Sequence, residues 1–236
     1  MGTFYLGTPN PAWLRRIDIP LCVSRRRLAR YVTLPRACGP WILDSGGFTE
    51  LSRHGRWTIT ADEYAAFVLR CAEEVGHLQW AAPMDFMCEP AILAETGHSV
   101  AAHQGFTVGN FLWLREQLGE LVIPVLQGYG PRDYERCFDL YARAGIDLTA
   151  EPVVGIGSVC RRSGTLEANR LIRYVSDFGV QLHAFGIKGA TWRACRGLLA
   201  SADSQAWSMR ARRSGVPSFS MPFALEWRDR LLACAA

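Results

Sequence analysis

The sequence of 236 residues contains almost no lysine, since Lys188 stands alone among 26 basic residues and the formal net charge is +4. No two of its cysteines have the Cys-x-x-Cys spacing of a zinc or thioredoxin-type redox motif. It also lacks a charged start followed by an apolar run, and no apolar stretch approaches the length of a membrane span. We therefore expect a soluble, cytoplasmic protein with no membrane partner.

Hydrophobic residues make up 49% of the chain and charged residues 20%, which is enough apolar material for a large core and unlike a disordered protein. A single domain over residues 1–236 is the expected organisation, because α/β barrels commonly reach this length as one unit. The cysteines are expected to be reduced thiols in packing roles. They are Cys22, Cys38, Cys71, Cys88, Cys137, Cys160, Cys195 and Cys234.

Short apolar runs that end in glycine or a polar residue recur along the chain, and helical patterns lie between them. The runs cover residues 4–7, 19–24, 41–45, 78–86, 121–128, 153–158, 182–188 and 201–207. The clearest helical patterns cover residues 60–75, 100–118, 131–144 and 166–178. Alternating strands and helices require a parallel sheet with right-handed crossovers, and eight strands favour closure. The sequence predicts an α/β fold, a single (β/α)8 TIM-type barrel that is irregular in its first quarter.

Six of these runs have polar residues or glycines at or near their carboxyl ends. In a barrel these strand ends surround one cavity. The residues are Asp44-Ser45-Gly46-Gly47-Phe48, Asp85, Gln127-Gly128, Gly155-Ile156-Gly157, Lys188 and Asp203. An aspartate taken singly is more typical of a helix cap or a turn than of a functional site. Three aspartates at strand ends together predict a site where neighbouring carboxylates raise one another's pKa.

A second polar set, formed by His103, Thr107 and Asn110, lies on one face of the helix predicted over residues 100–118. This face is either a surface stripe or a wall of the site. In the second case His103 acts as a hydrogen-bond partner rather than a metal ligand, because no other ligand accompanies it at a suitable spacing.

The strand-end motifs resemble those of the tRNA-guanine transglycosylase superfamily and are closest to its deazapurine-in-DNA branch, the DpdA-type proteins. The likeness runs from Trp41 to about Arg213, and its most specific part is the sequence from Asp44 to Phe48. The resemblance implies exchange of guanine in a polynucleotide for a 7-deazaguanine base such as 7-cyano-7-deazaguanine. It implies no cofactor.

The resemblance also assigns roles to individual residues. Asp203 would be the nucleophile that forms a glycosyl ester, and Asp44 would either act as general acid and base or hold the nucleophile side of the pocket. Asp85 would read the Watson–Crick edge of the purine, Gln127 its carbonyl, and residues 155–158 would face the base. These roles are chemically consistent, because a guanine edge offers two donors to a carboxylate and retention requires two displacements.

DNA is the expected polymer, and tRNA is the alternative. The chain lacks the zinc-binding cysteines and the carboxyl-terminal elaboration of the tRNA enzymes, so no metal is predicted, and it reads Trp207-Ser208-Met209-Arg210 where those enzymes have Pro-Thr-Arg. Arginines expected to bind nucleic acid are Arg161, Arg162, Arg210, Arg212 and Arg213. Exchange on a free nucleoside, a non-catalytic nucleic-acid-binding barrel, and another barrel hydrolase or lyase stay open, as do a homodimer and a helper protein.

Overall fold

The computed structural model describes residues 2–233, so Cys234 lies outside the described residues. Eight strands all run parallel. They are β1 (Thr3–Thr8), β2 (Leu21–Ser24), β3 (Trp41–Asp44), β4 (Leu78–Ala81), β5 (Val125–Leu126), β6 (Val154–Ile156), β7 (Leu182–Ala184) and β8 (Ser201–Ser204). Their order in the sheet is β4-β3-β2-β1-β8-β7-β6-β5.

The sheet is curled but does not close through a continuous ladder. The two edge strands are β4 and β5. An isolated parallel bridge joins Ala81, which ends β4, to Val122, which precedes β5. Inside the curl, Tyr5, Trp80 and Ile123 belong to one cluster of buried residues. The predicted succession of eight parallel strands is present, whereas the complete barrel ladder is not.

Helices cover the outer face of the sheet. They are α1 (Arg25–Leu28), α2 (Gly47–His54), α3 (Ala61–Arg70), α4 (Pro90–Thr96), α5 (Val100–Leu118), α6 (Pro131–Arg143), α7 (Leu166–Ser176), α8 (Gly189–Cys195), α9 (Ala206–Arg213) and α10 (Met221–Ala233). Helix α3 begins with a capping box of Thr60 and Glu63 and passes into a π-helical segment, Cys71–Val75. In the first quarter, a 3-10 segment, Pro11–Arg15, and the single turn α1 follow the first two strands.

Several strands are shorter than their apolar runs, for identifiable backbone reasons. Pro83 follows β4 and Pro124 precedes β5, and a proline has no N–H to donate to a sheet. Gly186 (φ 60°) and Ser158 (φ 56°) have left-handed backbone conformations after β7 and β6. The chain therefore leaves the sheet early and places polar residues in the loops above it.

The seven described cysteines are free thiols. Five of them are buried, whereas Cys38 and Cys160 are exposed, so the packing role predicted for all eight does not hold for these two. No helix within residues 2–233 is long and apolar enough to cross a membrane.

Candidate active site

The loops at the carboxyl ends of the strands enclose a cavity of about 470 Å³. Asp44, Asp85 and Asp203, from three separate parts of the chain, all line it together with Gln127. Other predicted site residues in its wall are Ser45, Gly46, Phe48, Gly157, Lys188, Arg161 and Arg212. The cavity thus brings together the three carboxylates that the strand-end pattern singled out.

Asp44 ends β3, where Gly46 has φ 80° and turns the chain into α2. The Ser24 hydroxyl and the Gly46 backbone N–H lie near its carboxylate and lower its pKa in part. Burial, and next the negative charge of Asp203, raise the pKa of Asp44 to about 6. A carboxyl group with this pKa exchanges a proton readily near neutral pH.

A buried ion pair fixes the loop after Asp44. Glu50 on α2 is fully buried and binds Arg25 at 2.8 Å, with Arg26 as a second partner. Arg25 Nε also donates to the carbonyl of Ser45 at 3.3 Å. Because Arg25 binds both Glu50 and the Ser45 carbonyl, it ties the loop after Asp44 to α2.

Asp85 is 5% exposed, and each carboxylate oxygen has a side-chain donor. Ser45 Oγ donates to Oδ1 at 3.2 Å, and Gln127 Nε2 donates to Oδ2 at 2.6 Å. Burial, followed by the charge of Asp44, raises the pKa of Asp85 to about 7 despite these bonds. The ionised form is therefore a strong acceptor that lacks enough donors until a ligand supplies them.

The hydrogen bonds continue from Gln127 to Ser158 and Glu89. Ser158 Oγ lies 2.7 Å from Gln127 Oε1 and 3.0 Å from Glu89 Oε2, and it accepts the Cys88 N–H at 2.7 Å. Glu89 is buried, lines the cavity, and has a pKa raised mainly by burial. Sequence reasoning missed it, although it follows Asp85 by four residues in the same strand-end loop.

Gly157 is required by this arrangement. A Cβ atom there would lie 2.2 Å from Gln127 Nε2, so any side chain would displace the glutamine. The strand-end glycine therefore gives Gln127 the space to reach Asp85.

Asp203 at β8 is 8% exposed, and its Oδ1 accepts the Gly186 N–H at 2.8 Å. His183 Nε2 faces the same oxygen at 3.4 Å, and His183 Nδ1 lies 2.8 Å from Ser201 Oγ. Burial lowers the pKa of His183 although Asp203 opposes this, so the imidazole is neutral near pH 7. The Cys22 thiol lies against Asp203, and its pKa is raised first by burial and then by that carboxylate.

Sequence reasoning also missed His183 and Cys22 as neighbours of the nucleophile candidate. His183 is the one polar residue in the strand Leu182–Ala184, and it pairs in register with Ser201 of β8. That single polar position inside a buried strand was the available signal.

The predicted polar face of α5 does not line the cavity, so the expectation that His103 and Asn110 form a wall of the site and bind substrate is corrected. His103 Nδ1 lies 2.6 Å from the Met87 carbonyl, and Asn110 Nδ2 donates to the Met84 carbonyl at 2.7 Å. Thr107 Oγ1 accepts the Phe86 N–H at 2.9 Å. The loop that carries Asp85 covers this helix face, so these residues position the loop.

Four other predicted contacts, Gly47, Gly128, Gly155 and Ile156, also lie outside the cavity lining. Ile156 points into the apolar core. A Cβ on Gly155 would lie 2.5 Å from the Phe185 ring, and one on Gly128 would lie 2.7 Å from Asp133 Cβ, so both glycines serve close packing. A Cβ on Gly47 would meet Met87 and Trp57 at 2.9 Å.

The predicted nucleic-acid-binding arginines separate into two groups. Arg161 and Arg212 line the cavity, and Arg162 lies in an adjacent one, whereas Arg210 and Arg213 lie in the exposed last turn of α9 outside either lining. Within residues 2–233 no group of three or more histidine, cysteine, aspartate or glutamate side chains is arranged to hold a metal ion.

Comparison with known proteins places this chain in a family. The model of the family described as DpdA, DeoxyPurine in DNA protein A, matches residues 1–236, the whole chain. None of the curated proteins matches the sequence. The chain therefore belongs to the DpdA family and is related to transglycosylase-type enzymes of DNA modification.

Proposed function

We propose that this protein exchanges guanine in DNA for a 7-deazaguanine base such as 7-cyano-7-deazaguanine, through a covalent bond between Asp203 and the sugar. The observation that carries the proposal is the shared cavity of about 470 Å³ lined by Asp44, Asp85 and Asp203. Its volume is in the range of small-molecule sites. We also propose that residues 1–236 act as one domain, built on the curled eight-stranded parallel sheet.

Base recognition depends on Asp85 and Gln127. The purine N1–H and exocyclic amine supply the two donors that an ionised Asp85 needs, and a charged acceptor strengthens both bonds. One N–H of Gln127 Nε2 already binds Asp85. Its second N–H is available for the carbonyl oxygen of the base.

The exchange proceeds in two displacements. Asp203 attacks the sugar C1′ through Oδ2, because Oδ1 is held by Gly186. The bond from C1′ to N9 breaks, its electrons remain on guanine, and Asp44 supplies the proton that N9 takes up. The incoming base then returns a proton from N9 to Asp44, attacks C1′ and releases the carboxylate of Asp203.

DNA is the preferred polymer because the family description names DNA and because Arg161 and Arg212 lie in the cavity wall, where phosphates can be bound. A duplex hides both C1′ and the base edge. The target nucleotide must therefore be flipped out of the helix or lie in a single strand.

Incubation of the purified protein with isotope-labelled 7-cyano-7-deazaguanine and separate samples of duplex DNA, single-stranded DNA, tRNA and guanine nucleosides tests the proposal. We expect label in DNA and stoichiometric release of guanine. Label in tRNA or nucleoside alone would reject DNA as the acceptor, and DNA binding without any exchange would indicate a non-catalytic protein.

A further inference from the structure

A second cavity, of about 540 Å³, lies beside the first. Phe48, Glu89 and Arg161 line both cavities, so the two spaces share a wall. The second cavity is otherwise formed by Pro90, Ala91, Ile92, Tyr129 and Arg162. The proposed exchange assigns nothing to this space, which is far larger than the two atoms of a nitrile group require.

Two arginine–aromatic pairs line the second cavity. The Arg161 guanidinium lies 4.2 Å from the centre of the Phe48 ring, and the Arg162 guanidinium lies 4.3 Å from that of Tyr129. Aromatic rings and guanidinium planes are the surfaces on which exposed nucleobases stack. The lining is therefore suited to a flat, unpaired base.

The two arginines differ in how their charges are used. Arg162 forms an ion pair with Glu167 at 3.0 Å and donates to the Tyr129 carbonyl at 2.8 Å. Arg161 is exposed and forms no ion pair with any residue in the described range 2–233. Arg162 thus fixes the wall, whereas the exposed guanidinium of Arg161, whose charge also lowers the pKa of the nearby Glu89, can bind a phosphate.

Tyr129 is held as a fixed platform. Its backbone N–H donates to Asp133 Oδ2 at 3.0 Å, its carbonyl is bound by Arg162, and its side chain is 36% exposed. A platform fixed in advance loses little conformational entropy when a base stacks on it.

We propose that the second cavity binds the nucleobase next to the exchanged guanine in the same DNA strand, with Tyr129 as its stacking surface and Arg161 on the intervening phosphate. This inference rests on the proposed function. The shared wall supports it, because adjacent nucleotides of one strand must occupy adjacent sites.

Short single-stranded oligonucleotides with one central guanine test this assignment. Three versions carry normal neighbours, an abasic analogue on the 5′ side, or an abasic analogue on the 3′ side. Binding is followed by fluorescence anisotropy and exchange by label incorporation, for the wild type, Tyr129→Ala and Tyr129→Phe. Arg143→Ala, an exposed arginine at the end of α6, is the matched control for the loss of charge in Arg161→Ala.

We expect Tyr129→Ala to weaken binding of the intact oligonucleotide about 5- to 150-fold, the range for loss of one base–aromatic stack. Tyr129→Phe keeps the ring and should stay within about twofold of wild type. On the oligonucleotide that lacks the contacted neighbour, Tyr129→Ala should have no further effect. Arg161→Ala should weaken binding and reduce its salt dependence, unlike Arg143→Ala.

If the wild type exchanges the base in DNA and Tyr129→Ala weakens binding of all three oligonucleotides equally, this inference is overturned. The proposed function then stands. The same holds if Tyr129→Ala changes only the preference among 7-substituted free bases, since the cavity would then hold the base substituent. If the wild type neither binds nor modifies any oligonucleotide, both proposals fail.

Discussion

The carboxylates on the two sides of the cavity differ in their hydrogen-bond partners. On the base side, Asp85 is bonded by the side chains of Ser45 and Gln127, yet its pKa is raised to about 7. On the sugar side, Asp203 is bonded by a backbone N–H of Gly186 and faces the neutral ring of His183. On the base side, the two side-chain donors do not offset the effect of burial and of the Asp44 charge on the pKa of Asp85, so this carboxylate can be stabilised further by donors from a ligand.

The sharpest test of this difference is Asp203→Asn. If Asp203 is the nucleophile, the amide cannot form the glycosyl ester, and the exchange rate should fall on the order of 10³-fold or more. Binding of the free 7-deazaguanine base should change little, because base recognition lies on the other side of the cavity. Single-turnover exchange and equilibrium binding of the base measure the two effects separately.

The wild-type protein is incubated with DNA in the absence of the incoming base, so that the second displacement cannot follow, and is then quenched. Mass spectrometry should find the DNA joined through a deoxyribosyl carbon to the peptide that contains Asp203. Only a mild loss of rate in Asp203→Asn would reject the nucleophile assignment.

Asp85→Asn should produce the opposite pattern. An amide cannot accept from both donors of the guanine edge, and one donor is left unpaired in a buried site, so base affinity should fall on the order of 10²-fold. In the wild type, affinity should also decrease as the pH falls through about 7, because protonation removes the same acceptor. Base binding by calorimetry from pH 6 to 8.5 checks both. An unchanged affinity in the variant would remove Asp85 from base recognition.

The residues of the site differ in how far the sequence alone could predict them. Asp44, Asp85 and Asp203 were predictable because polar residues after apolar runs mark the ends of parallel strands, and these ends meet at one face. His183 and Glu89 were visible as polar residues inside or just after an apolar run, but their contacts with Asp203 and Ser158 could not be predicted, since these depend on which strands and loops are neighbours in space. Helical periodicity correctly placed His103 and Asn110 on one face but carries no information about the loop that covers it.

The raised pKa of Asp85 also predicts a cost in stability. Its folded pKa of about 7 exceeds the ordinary 3.8, so the folded state binds the proton more tightly and is destabilised as the pH rises from about 4 through 7. Asp85→Asn removes this penalty. We expect its gain in unfolding free energy to be about 3 kcal/mol larger at pH 8 than at pH 5.

Urea unfolding at the two pH values measures this difference. Asp139→Asn, on the exposed side of α6, is the matched control and should change stability by less than about 0.5 kcal/mol at either pH. A gain in Asp85→Asn that does not depend on pH would contradict the raised pKa.

The smallest expected effect concerns the sugar side. Among the described residues His183 Nε2 makes no conventional hydrogen bond, and it faces only Asp203 Oδ1 at 3.4 Å. A lone pair in that position would repel the carboxylate, so the ring should carry its proton on Nε2 and accept from Ser201 Oγ through Nδ1.

His183→Leu removes this donor and should lower the single-turnover rate about tenfold, with base affinity unchanged. His183→Gln places an amide N–H near the same point and should restore part of the rate, which a purely structural role would not predict. Nitrogen NMR of the wild-type imidazole is independent of whether either variant folds, and a proton found on Nδ1 rather than Nε2 would refute this positioning role.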